Sequence, residues 1–263
     1  MSVFDQYARF YDLIYRDKDY NAEADYIDTL LKRFVPTARD LLEFGSGTGI
    51  HSRLLADKGY HVTGLERSPE MIAQARSKLT SPTGSPKIKT SSRDGRVEWL
   101  EGDIRQTDLD RTFDAVLALF HVLSYQTSSE DIIATFQNAG RHLRTGGIFL
   151  FDFWYTPAVI SQRPSVRIKR VEDERTRLTR LAEPSEHPNE NRVDVHYTIL
   201  AEDKTSHALT TLEETHHMRH LSLPEVELLS NFTGFTLLHS EEFLTGITPG
   251  ENTWGVCCIL KRK

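Results

Sequence analysis

Cysteine is nearly missing from the sequence: among 263 residues only Cys257 and Cys258 occur, and they are adjacent. Neighbouring residues of a strand point to opposite faces of a sheet, so this pair cannot form an ordinary disulfide bridge. No further metal ligands lie close to them in the sequence, and a metal centre is therefore not indicated. We expect both thiols to pack in the interior, and we predict no bound metal.

Long hydrophobic runs are also missing. Hydrophobic residues make up 38% of the chain and charged residues 27%, and no apolar stretch approaches the roughly 20 residues of a membrane helix. Residues 1–20 scatter charges through every apolar stretch, which excludes the pattern of a signal or transit peptide. We therefore expect a cytoplasmic protein with no membrane partner.

An excess of positive charge is the third absence. The 32 Lys and Arg residues face 38 Asp and Glu residues, and the formal net charge is −6 with histidine neutral. This balance argues against nucleic acid as the main partner and favours a small-molecule substrate. The length allows one enlarged α/β domain or two small ones.

What the sequence does contain is an alternation of short apolar stretches with amphipathic ones. Strands that alternate with helices predict a parallel sheet covered on both faces, which is a doubly wound α/β fold. A variable loop, rich in Ser, Pro, Thr and Lys, interrupts the pattern at 80–96. We predict strands at 39–44, 60–66, 97–104, 113–120 and 148–155, helices at 20–34, 50–58, 69–79, 130–143 and 224–232, and a closing hairpin of 235–243 with 254–262.

Between residues 167 and 222 the pattern changes to three long alternating stretches, which predict an inserted antiparallel sheet. In one of them Val193, Val195 and Tyr197 share one face, while His196 lies on the other. The predicted parts of the chain are a helical lid at 1–38, a ligand-binding core at 39–163 and 223–263, and the inserted sheet at 164–222, which would serve substrate binding or dimerisation.

The sequence LEFGSGTGIH, at residues 42–51, places Gly45, Gly47 and Gly49 between the first strand and the next helix. Open α/β sheets bind ligands at this point, and residues without a Cβ let a ligand lie against the main chain. The dinucleotide fingerprint would need glycine where Ile50 stands, and the Lys-Ser/Thr pair of a phosphate-binding loop does not follow. The glycines alone therefore do not identify the ligand.

Acidic residues at three strand ends make the pattern more specific. Glu43 precedes the glycines, Glu66 ends the second strand and Asp103 follows the third. A carboxylate at Glu66 can accept both hydrogen bonds of a ribose diol, and it would repel a phosphate beside it. Together these residues resemble the E/D-x-G-x-G-x-G pattern of the class I S-adenosylmethionine (SAM)-dependent methyltransferases.

That resemblance covers about residues 40–155 and implies a Rossmann-like, seven-stranded sheet with SAM as the cofactor and S-adenosylhomocysteine as its product. In the family, the acid at Glu43 and the glycine loop hold the methionine amino group. The acid at Asp103 takes the adenine amino group, with the backbone of Ile104 beside it and Met71 against the ring. The residues expected to bind the cofactor are Tyr11, Tyr20, Glu43, Gly45, Ser46, Gly47, Gly49, Glu66, Arg67, Met71, Gly102, Asp103, Ile104 and Leu119.

Two features concern the acceptor of the methyl group. Tyr7, Tyr11 and Tyr15 recur at four-residue spacing, which places them on one side of a helix. This stripe could pack in the core, or it could close over the cofactor together with Tyr20. His121 follows the fourth strand, beside the expected position of the methyl, and we predict that it is the catalytic residue, either as a base or only as a positioning group.

Nearly end to end, the chain also resembles a narrower group, the N,N-dimethyltransferases that act on TDP-3-amino-3,6-dideoxyhexoses. The segments that carry this resemblance are "LLEFGSGTGIHSRLLA", "GLERSPEMI", "DFWYTP" and "RVDVHYTI". By position in that group, the acceptor site would include Arg16, Asp17, Lys18, His121, Asp152, Trp154, Arg180, His196 and Arg219. The predicted acceptor site also includes Tyr7 and Tyr15 on the lid, and Tyr125 and Tyr155 near His121.

The segments at 80–96, 118–122 and 245–255 depart from that group on the acceptor side. We predict an N-methyltransferase that transfers a methyl group from SAM to a small polar acceptor, the amine of a nucleotide-linked amino sugar. An O-methyltransferase acting on a sugar or small metabolite, and a SAM-binding protein without turnover, are the alternatives. One or two transfers, and a homodimer formed through the inserted sheet, stay open.

Overall fold

The computed structural model describes residues 8–80 and 95–263. Tyr7 and most of the predicted loop at 80–96 lie outside the described residues. Within residues 8–80 and 95–263, no helix combines the length and the apolar character needed to cross a membrane.

Two helices precede the first strand, α1 at Ala8–Ile14 and α2 at Tyr20–Phe34. The second begins where predicted, because the side chain of Asp19 accepts the N–H of Ala22 and caps the helix. Strands and helices then alternate as predicted. They are β1 (Asp40–Phe44), α3 (Ile50–Asp57), β2 (His61–Glu66), α4 (Pro69–Thr80), β3 (Arg96–Glu101), β4 (Phe113–Ala118), α5 (Ser129–Arg141) and β5 (Leu143–Tyr155). A short helix that was not predicted, α6 (Thr156–Gln162), follows β5.

The central sheet has the predicted doubly wound arrangement. Strands β3, β2, β1, β4 and β5 lie side by side in that order and are parallel. After helix α7 (Leu223–Phe232), strands β10 (Phe235–Glu242) and β11 (Gly255–Arg262) pair antiparallel, and β11 also pairs with β5. These seven strands confirm the predicted sheet, and their parallel members all end at one edge, where such sheets bind ligands.

Apolar side chains cover both faces of this sheet, one packed against α2 and α3 and the other against α5 and α7. The two cysteines show the division, since Cys257 (1% exposed) belongs to the first cluster and Cys258 (0%) to the second. Both thiols are free and buried, which confirms the prediction that they pack. Burial raises the pKa of both, so neither is a reactive thiolate.

Residues 164–222 are all described and contain four antiparallel strands, β6 (Arg167–Glu172), β7 (Thr176–His187), β8 (Arg192–Asp203) and β9 (Leu209–Leu221), which lie side by side in that order. In β8, Val193, Val195 and Ile199 are buried on one face, as predicted. Strand β9 also runs beside the end of β5, where Trp154 pairs with His220. The insertion therefore continues the central sheet next to its ligand-binding edge.

Two predicted details are wrong. Strand β6 escapes prediction because it is an edge strand whose residues are mostly exposed, and it lacks the apolar face that marks a strand in a sequence. Strand β5 begins at Leu143 and not after the glycine pair, because the glycines lie in a bulge. The register of the pairing with β4 shifts between Phe113 and Ala115, and on the β5 side of this shift Gly146 has a φ of 80°.

Candidate active site

A cavity of about 600 Å³ opens at the carboxyl ends of the parallel strands. The ends of β1 to β5 form its wall together with residues near α1 and α2 and residues of β8 and β9. A volume of this size is typical of a small-molecule site. Of the residues predicted for the cofactor, the wall contains Tyr11, Tyr20, Glu43, Gly45, Ser46, Gly47, Glu66, Arg67, Met71, Gly102, Asp103, Ile104 and Leu119. Of those predicted for the acceptor or for catalysis, it contains Tyr15, His121, Tyr125 and Trp154.

The glycine loop needs its glycines for two different reasons. All three have positive φ values, 63° at Gly45, 54° at Gly47 and 73° at Gly49, which favour glycine. A Cβ on Gly45 would lie 2.7 Å from a methyl group of Val122. A Cβ on Gly49 would lie 2.5 Å from the ring of Trp99. A Cβ on Gly47 would meet no described atom within 4 Å. Gly47 therefore leaves room for a ligand, whereas the other two glycines leave room for the side chains of Val122 and Trp99.

Glu66, at the end of β2, is held by main-chain donors. Its carboxylate accepts the N–H groups of Gly47 at 2.8 Å, Arg67 at 2.8 Å and Ser68 at 2.9 Å. A carboxylate offers about four acceptor positions, so capacity for a further donor remains. Glu66 therefore ties the glycine loop to β2 and still can bind a ligand hydroxyl.

Glu43, at the end of β1, is the most enclosed acid of the cavity wall, with 2% of its surface exposed. It accepts the hydroxyl hydrogen of Ser52. Burial raises the pKa of Glu43, and the opposing effects of His51 and Ser52 do not cancel this. A cationic ligand group would favour the charged carboxylate, because an opposite charge nearby lowers a carboxyl pKa.

Asp103, after β3, is paired with a residue that the sequence did not single out. Arg105 donates to it from Nε at 2.9 Å, from Nη2 at 2.5 Å and from its backbone N–H at 3.0 Å. The same guanidinium reaches Asp131 at 2.7 Å and lines the cavity. The hydrogen bonds from Arg105 lower the pKa of Asp103, which is therefore ionised at neutral pH.

His121 follows β4 in a left-handed conformation, with a φ of 63°. Its Nδ1 lies 2.8 Å from Oδ2 of Asp152, and its backbone N–H donates to both oxygens of that carboxylate at 3.1 Å. Asp152 is 1% exposed; burial acts to raise its pKa, but His121 outweighs burial and the pKa is lowered overall. Because Nδ1 faces Asp152, Nε2 is the ring nitrogen left to meet a ligand in the cavity.

Aromatic side chains surround the acceptor side of the cavity, among them Tyr15, Trp154 of β5 and Tyr197 of β8. Arg180 of β7 lies behind two of these rings, with its guanidinium carbon 5.6 Å from the centroid of Tyr15 and 4.9 Å from that of Tyr197. It also donates to the hydroxyl of Tyr15 at 3.1 Å. Burial raises the pKa of Tyr197 to about 12, so its phenol is neutral. Arg180 thus fixes the orientation of both rings.

Tyr125, beside His121 in the sequence, meets a histidine of the inserted sheet. Its hydroxyl lies 2.8 Å from Nδ1 of His216 on β9. Burial raises the pKa of Tyr125 and lowers that of His216, so the pair is neutral. The inserted sheet therefore contacts the β4 side of the cavity through a specific hydrogen bond.

Nine predicted residues of the described chain lie outside the cavity wall. Three of them support it from behind: Gly49 makes room for Trp99, Asp152 holds His121, and Arg180 lies behind two aromatic rings. Tyr155 is buried in the core with the β5 side chains. Asp17 accepts a hydrogen bond from Lys169 at 2.6 Å, and Lys18 pairs with Glu23. The full set is Arg16, Asp17, Lys18, Gly49, Asp152, Tyr155, Arg180, His196 and Arg219.

The remaining residues of that set point elsewhere. Arg16 donates to the carbonyl oxygen of Glu172. His196 lies on the face of β8 opposite to Tyr197, because adjacent residues of a strand alternate, and its Nδ1 is 3.2 Å from Oγ1 of Thr215. Arg219 donates to the carbonyl oxygen of Thr127 at 3.5 Å.

Several wall residues were not predicted. Tyr197 could have been found, because it shares the inward face of β8 with Val193 and Val195. His51 belongs to the glycine motif, and the others depend on backbone direction that no sequence pattern reports. They are Thr48, Ile50, His51, Ser68, Arg105, Phe120, Val122, Gln126, Tyr197 and Met218.

The residues present fit the cofactor that the resemblance implies. Gly47 borders open space, and Glu43 is an enclosed acid suited to an ammonium group. The hydroxyl oxygen of Ser46 is buried and has no hydrogen-bond partner within residues 8–80 and 95–263. In that same part of the chain, no three His, Cys, Asp or Glu side chains are grouped to hold a metal ion.

The sequence profile of the methyltransferase domain family matches residues 41–147. The dTDP-3-amino-3,6-dideoxy-alpha-D-glucopyranose N,N-dimethyltransferase of Streptomyces fradiae is 28% identical, covering 92% of this chain and 87% of the relative. The dTDP-3-amino-3,4,6-trideoxy-alpha-D-glucopyranose N,N-dimethyltransferase of Streptomyces venezuelae is 31% identical over 73% of this chain and 76% of the relative.

Solved structures agree on the fold. A sugar N-methyltransferase from Streptoalloteichus superposes with a TM-score of 0.79 at 23% identity, covering 100% of this chain and 95% of the other. An S-adenosylmethionine-dependent methyltransferase from Clostridium acetobutylicum gives 0.78 at 19% identity, with 98% of each chain covered. The predicted class I methyltransferase fold is confirmed.

Proposed function

Because this chain belongs to the S-adenosylmethionine-dependent methyltransferases, we propose that it methylates the amine of a nucleotide-linked amino sugar. It is an enzyme that uses SAM and releases S-adenosylhomocysteine. The acceptor class is supported by two relatives, which by name methylate the amines of dTDP-linked 3-amino sugars.

One structural observation carries the proposal. The acids Glu43 and Glu66 of the cofactor side share a single cavity with His121, Trp154 and Tyr197 of the other side. A protein that only binds SAM would need the first group, but it would not need a partly exposed histidine with a buried carboxylate behind it. This arrangement favours turnover over simple binding.

We assign each side of the cavity a part of the task. The glycine loop, with Glu43 and Glu66, binds the amino-acid and ribose parts of the cofactor. Asp103 and Arg105 lie where the resemblance puts the adenine ring of the cofactor. Tyr15, Trp154 and Tyr197 surround the acceptor, and residues 164–222 complete the acceptor side by supplying Tyr197 and Met218 to the wall.

When bound, SAM supplies an electrophilic methyl group on a sulfonium. An amine acceptor is an ammonium ion at neutral pH and must lose a proton before it can attack. Nε2 of His121 can take that proton, and Asp152 stabilises the imidazolium formed. A general base contributes roughly 100- to 10,000-fold, whereas holding two reactants in one site supplies about 7–11 kcal/mol. We infer that positioning by the walls outweighs proton transfer by His121.

A hydroxyl acceptor is the second candidate, and the His121–Asp152 pair is the observation that favours it. A sugar hydroxyl is a poor nucleophile until it is deprotonated, so O-methylation would depend on the histidine more strongly than N-methylation. The two candidates therefore differ in how much activity survives without the base.

Incubation of the enzyme with SAM labelled in its methyl group tests the proposal. The acceptors would be a dTDP-linked 3-amino-3,6-dideoxyhexose, the matching 3-hydroxy sugar nucleotide, the free amino sugar and a simple amine. We expect label in the amino sugar nucleotide above all others. Label only in the hydroxy sugar would replace the proposal with O-methylation, and SAM binding without labelling of any acceptor would contradict it.

A further inference from the structure

A row of ionisable side chains, three of them buried, joins the cofactor end of the cavity to the N-terminal helices. It consists of Glu43 of β1, His51 of α3, Glu23 of α2 and Lys18, just before α2. We propose that His51 is a positioning residue, which together with Glu23 couples the occupancy of the cofactor end at Glu43 to the placement of helix α2 over the cavity. This goes beyond the acceptor proposed above and rests only on the binding of SAM or its product.

These four side chains form a relay in which the step from His51 to Glu23 is a hydrogen bond and the step from His51 to Glu43 is a longer, ion-pair distance. Nε2 of His51 lies 2.7 Å from Oε2 of Glu23, and Nδ1 of the same ring lies 3.9 Å from Oε1 of Glu43. The ammonium of Lys18 pairs with the same oxygen of Glu23. Both nitrogens of one imidazole are thus directed to carboxylates that belong to different parts of the fold, the central sheet and helix α2.

Burial makes these contacts stronger than surface ion pairs. The exposed fractions are 7% for Glu23, 7% for His51 and 2% for Glu43. Burial acts to raise the pKa of Glu23, but His51 and Lys18 outweigh it and hold this pKa below its usual range. Removing one partner would leave a buried charge uncompensated, and a change at Glu43 is therefore felt at Glu23.

The far end of the relay reaches the acceptor side. The ammonium of Lys18 lies 4.3 Å from the ring centroid of Tyr20 and 4.3 Å from that of Phe120. Both rings line the cavity, and Phe120 directly precedes His121. A cation between two aromatic faces is stabilised by both. Helix α2 is thereby connected to the cofactor acid at one end and to the acceptor wall at the other.

A charged cluster of this kind could also serve stability alone, and Glu23 separates the two roles. Glu23 is absent from the cavity wall, so it can influence a ligand only through His51 or through the position of α2. If the cluster serves stability alone, substitution of Glu23 lowers the protection of α2 from hydrogen exchange equally with and without ligand. If the cluster couples the ligand to α2, the same substitution removes the part of that protection which the ligand adds.

The test uses the variants Glu23→Gln, His51→Gln and the double variant, with Asp25→Asn as the matched control. Asp25 is an acid on the same helix, but its side chain is 70% exposed and pairs with Lys58 at the surface. Calorimetry gives the affinity for S-adenosylhomocysteine. Hydrogen exchange of residues 20–34, with and without saturating S-adenosylhomocysteine, gives the protection that the ligand adds.

We expect each single variant to weaken binding about tenfold, and the double variant to be no weaker than His51→Gln alone, because both belong to one relay. The ligand should slow exchange in α2 of the unmodified enzyme and of Asp25→Asn, but not of Glu23→Gln. The relay would be overturned if the losses of affinity in the two single variants added in the double variant. It would also be overturned if the ligand protected α2 of Glu23→Gln as much as it protects α2 of the unmodified enzyme. Either result would leave the proposed function in place. If the unmodified enzyme failed to bind S-adenosylhomocysteine, both would be overturned.

Discussion

The cofactor end of the cavity holds its acids with donors that are near them in the sequence, whereas the acceptor end holds its side chains with partners from distant strands. Glu66 is bonded by the two residues that follow it and by Gly47, 19 positions away. The partner of His121 lies 31 positions away, and Tyr15 is bonded by Arg180 across 165 positions.

This difference has a physical consequence for each end. A site built from one strand end and its loop is defined by local geometry, so its chemistry follows from a short motif. A site assembled from six elements depends on how these pack, and a single substitution there shifts neighbours without abolishing the fold. Four predictions follow from this contrast, in order of decreasing effect.

The substitution Gly47→Ala should weaken binding of S-adenosylhomocysteine at least about a hundredfold, because the new methyl group would occupy the space left for the ligand. Gly234→Ala is the control. It also has a positive φ, 85°, and no described atom within 4 Å of a Cβ, but it lies outside the cavity wall. Both variants should lose about 1–2 kcal/mol of stability to backbone strain. Equal affinities by calorimetry would refute the assignment of the loop.

At the acceptor end, His121→Asn should reduce kcat by less than about a hundredfold and leave the affinity for S-adenosylhomocysteine unchanged, because the walls still position the acceptor. His196→Asn, on the face of β8 turned away from the cavity, should change neither quantity. Complete loss of turnover with intact binding would show that proton transfer dominates, and it would shift the proposal towards a hydroxyl acceptor.

Replacing Arg180 by methionine should raise KM for the acceptor about tenfold without changing the affinity for the cofactor product, since Arg180 orients Tyr15 and Tyr197. Arg177→Met on the same strand is the control, because its side chain is 58% exposed and pairs only with surface acids. An equal change in KM for the acceptor and in the dissociation constant of S-adenosylhomocysteine would contradict the separation of the two ends.

The smallest effect concerns pH and stability. Burial lowers the pKa of His216, so the unfolded chain binds more protons below its ordinary pKa of 6.5. The contribution of neutral His216 to stability is therefore fully present above pH 6.5 and is lost as the pH falls from 6.5 through the lowered pKa of the folded state. Urea unfolding at pH 5 and pH 8 should show a smaller difference for His216→Gln than for the unmodified enzyme. An unchanged difference would mean that His216 is not held neutral.

Much of the cofactor end could be predicted from the sequence. Glu43, Glu66 and Gly47 occupy the wall, because strand ends and glycines are local features. Arg105 was missed although it stands two residues beyond Asp103, since nothing in the sequence reports that its side chain turns back to that carboxylate. Even local geometry is therefore only partly visible in residue types.

The acceptor end was predicted less well. His196 was chosen and Tyr197 was not, although alternation places only one of them on the inner face of β8. Asp152 was assigned to the substrate, but the structure places it behind His121. These differences arise from strand register and pairing, which relate residues far apart in the chain.

The sequence by itself determined the doubly wound sheet and the site at its carboxyl edge, because hydrophobic periodicity and glycine positions act over a few residues. The cofactor was indicated by the resemblance of these motifs to those of the SAM-dependent methyltransferases. Only the tertiary structure decided that Asp152 supports His121, that β8 and β9 supply part of the acceptor wall, and that His51 links two buried acids. Those contacts depend on the packing of whole elements, and packing sums many weak, long-range interactions that no short motif encodes.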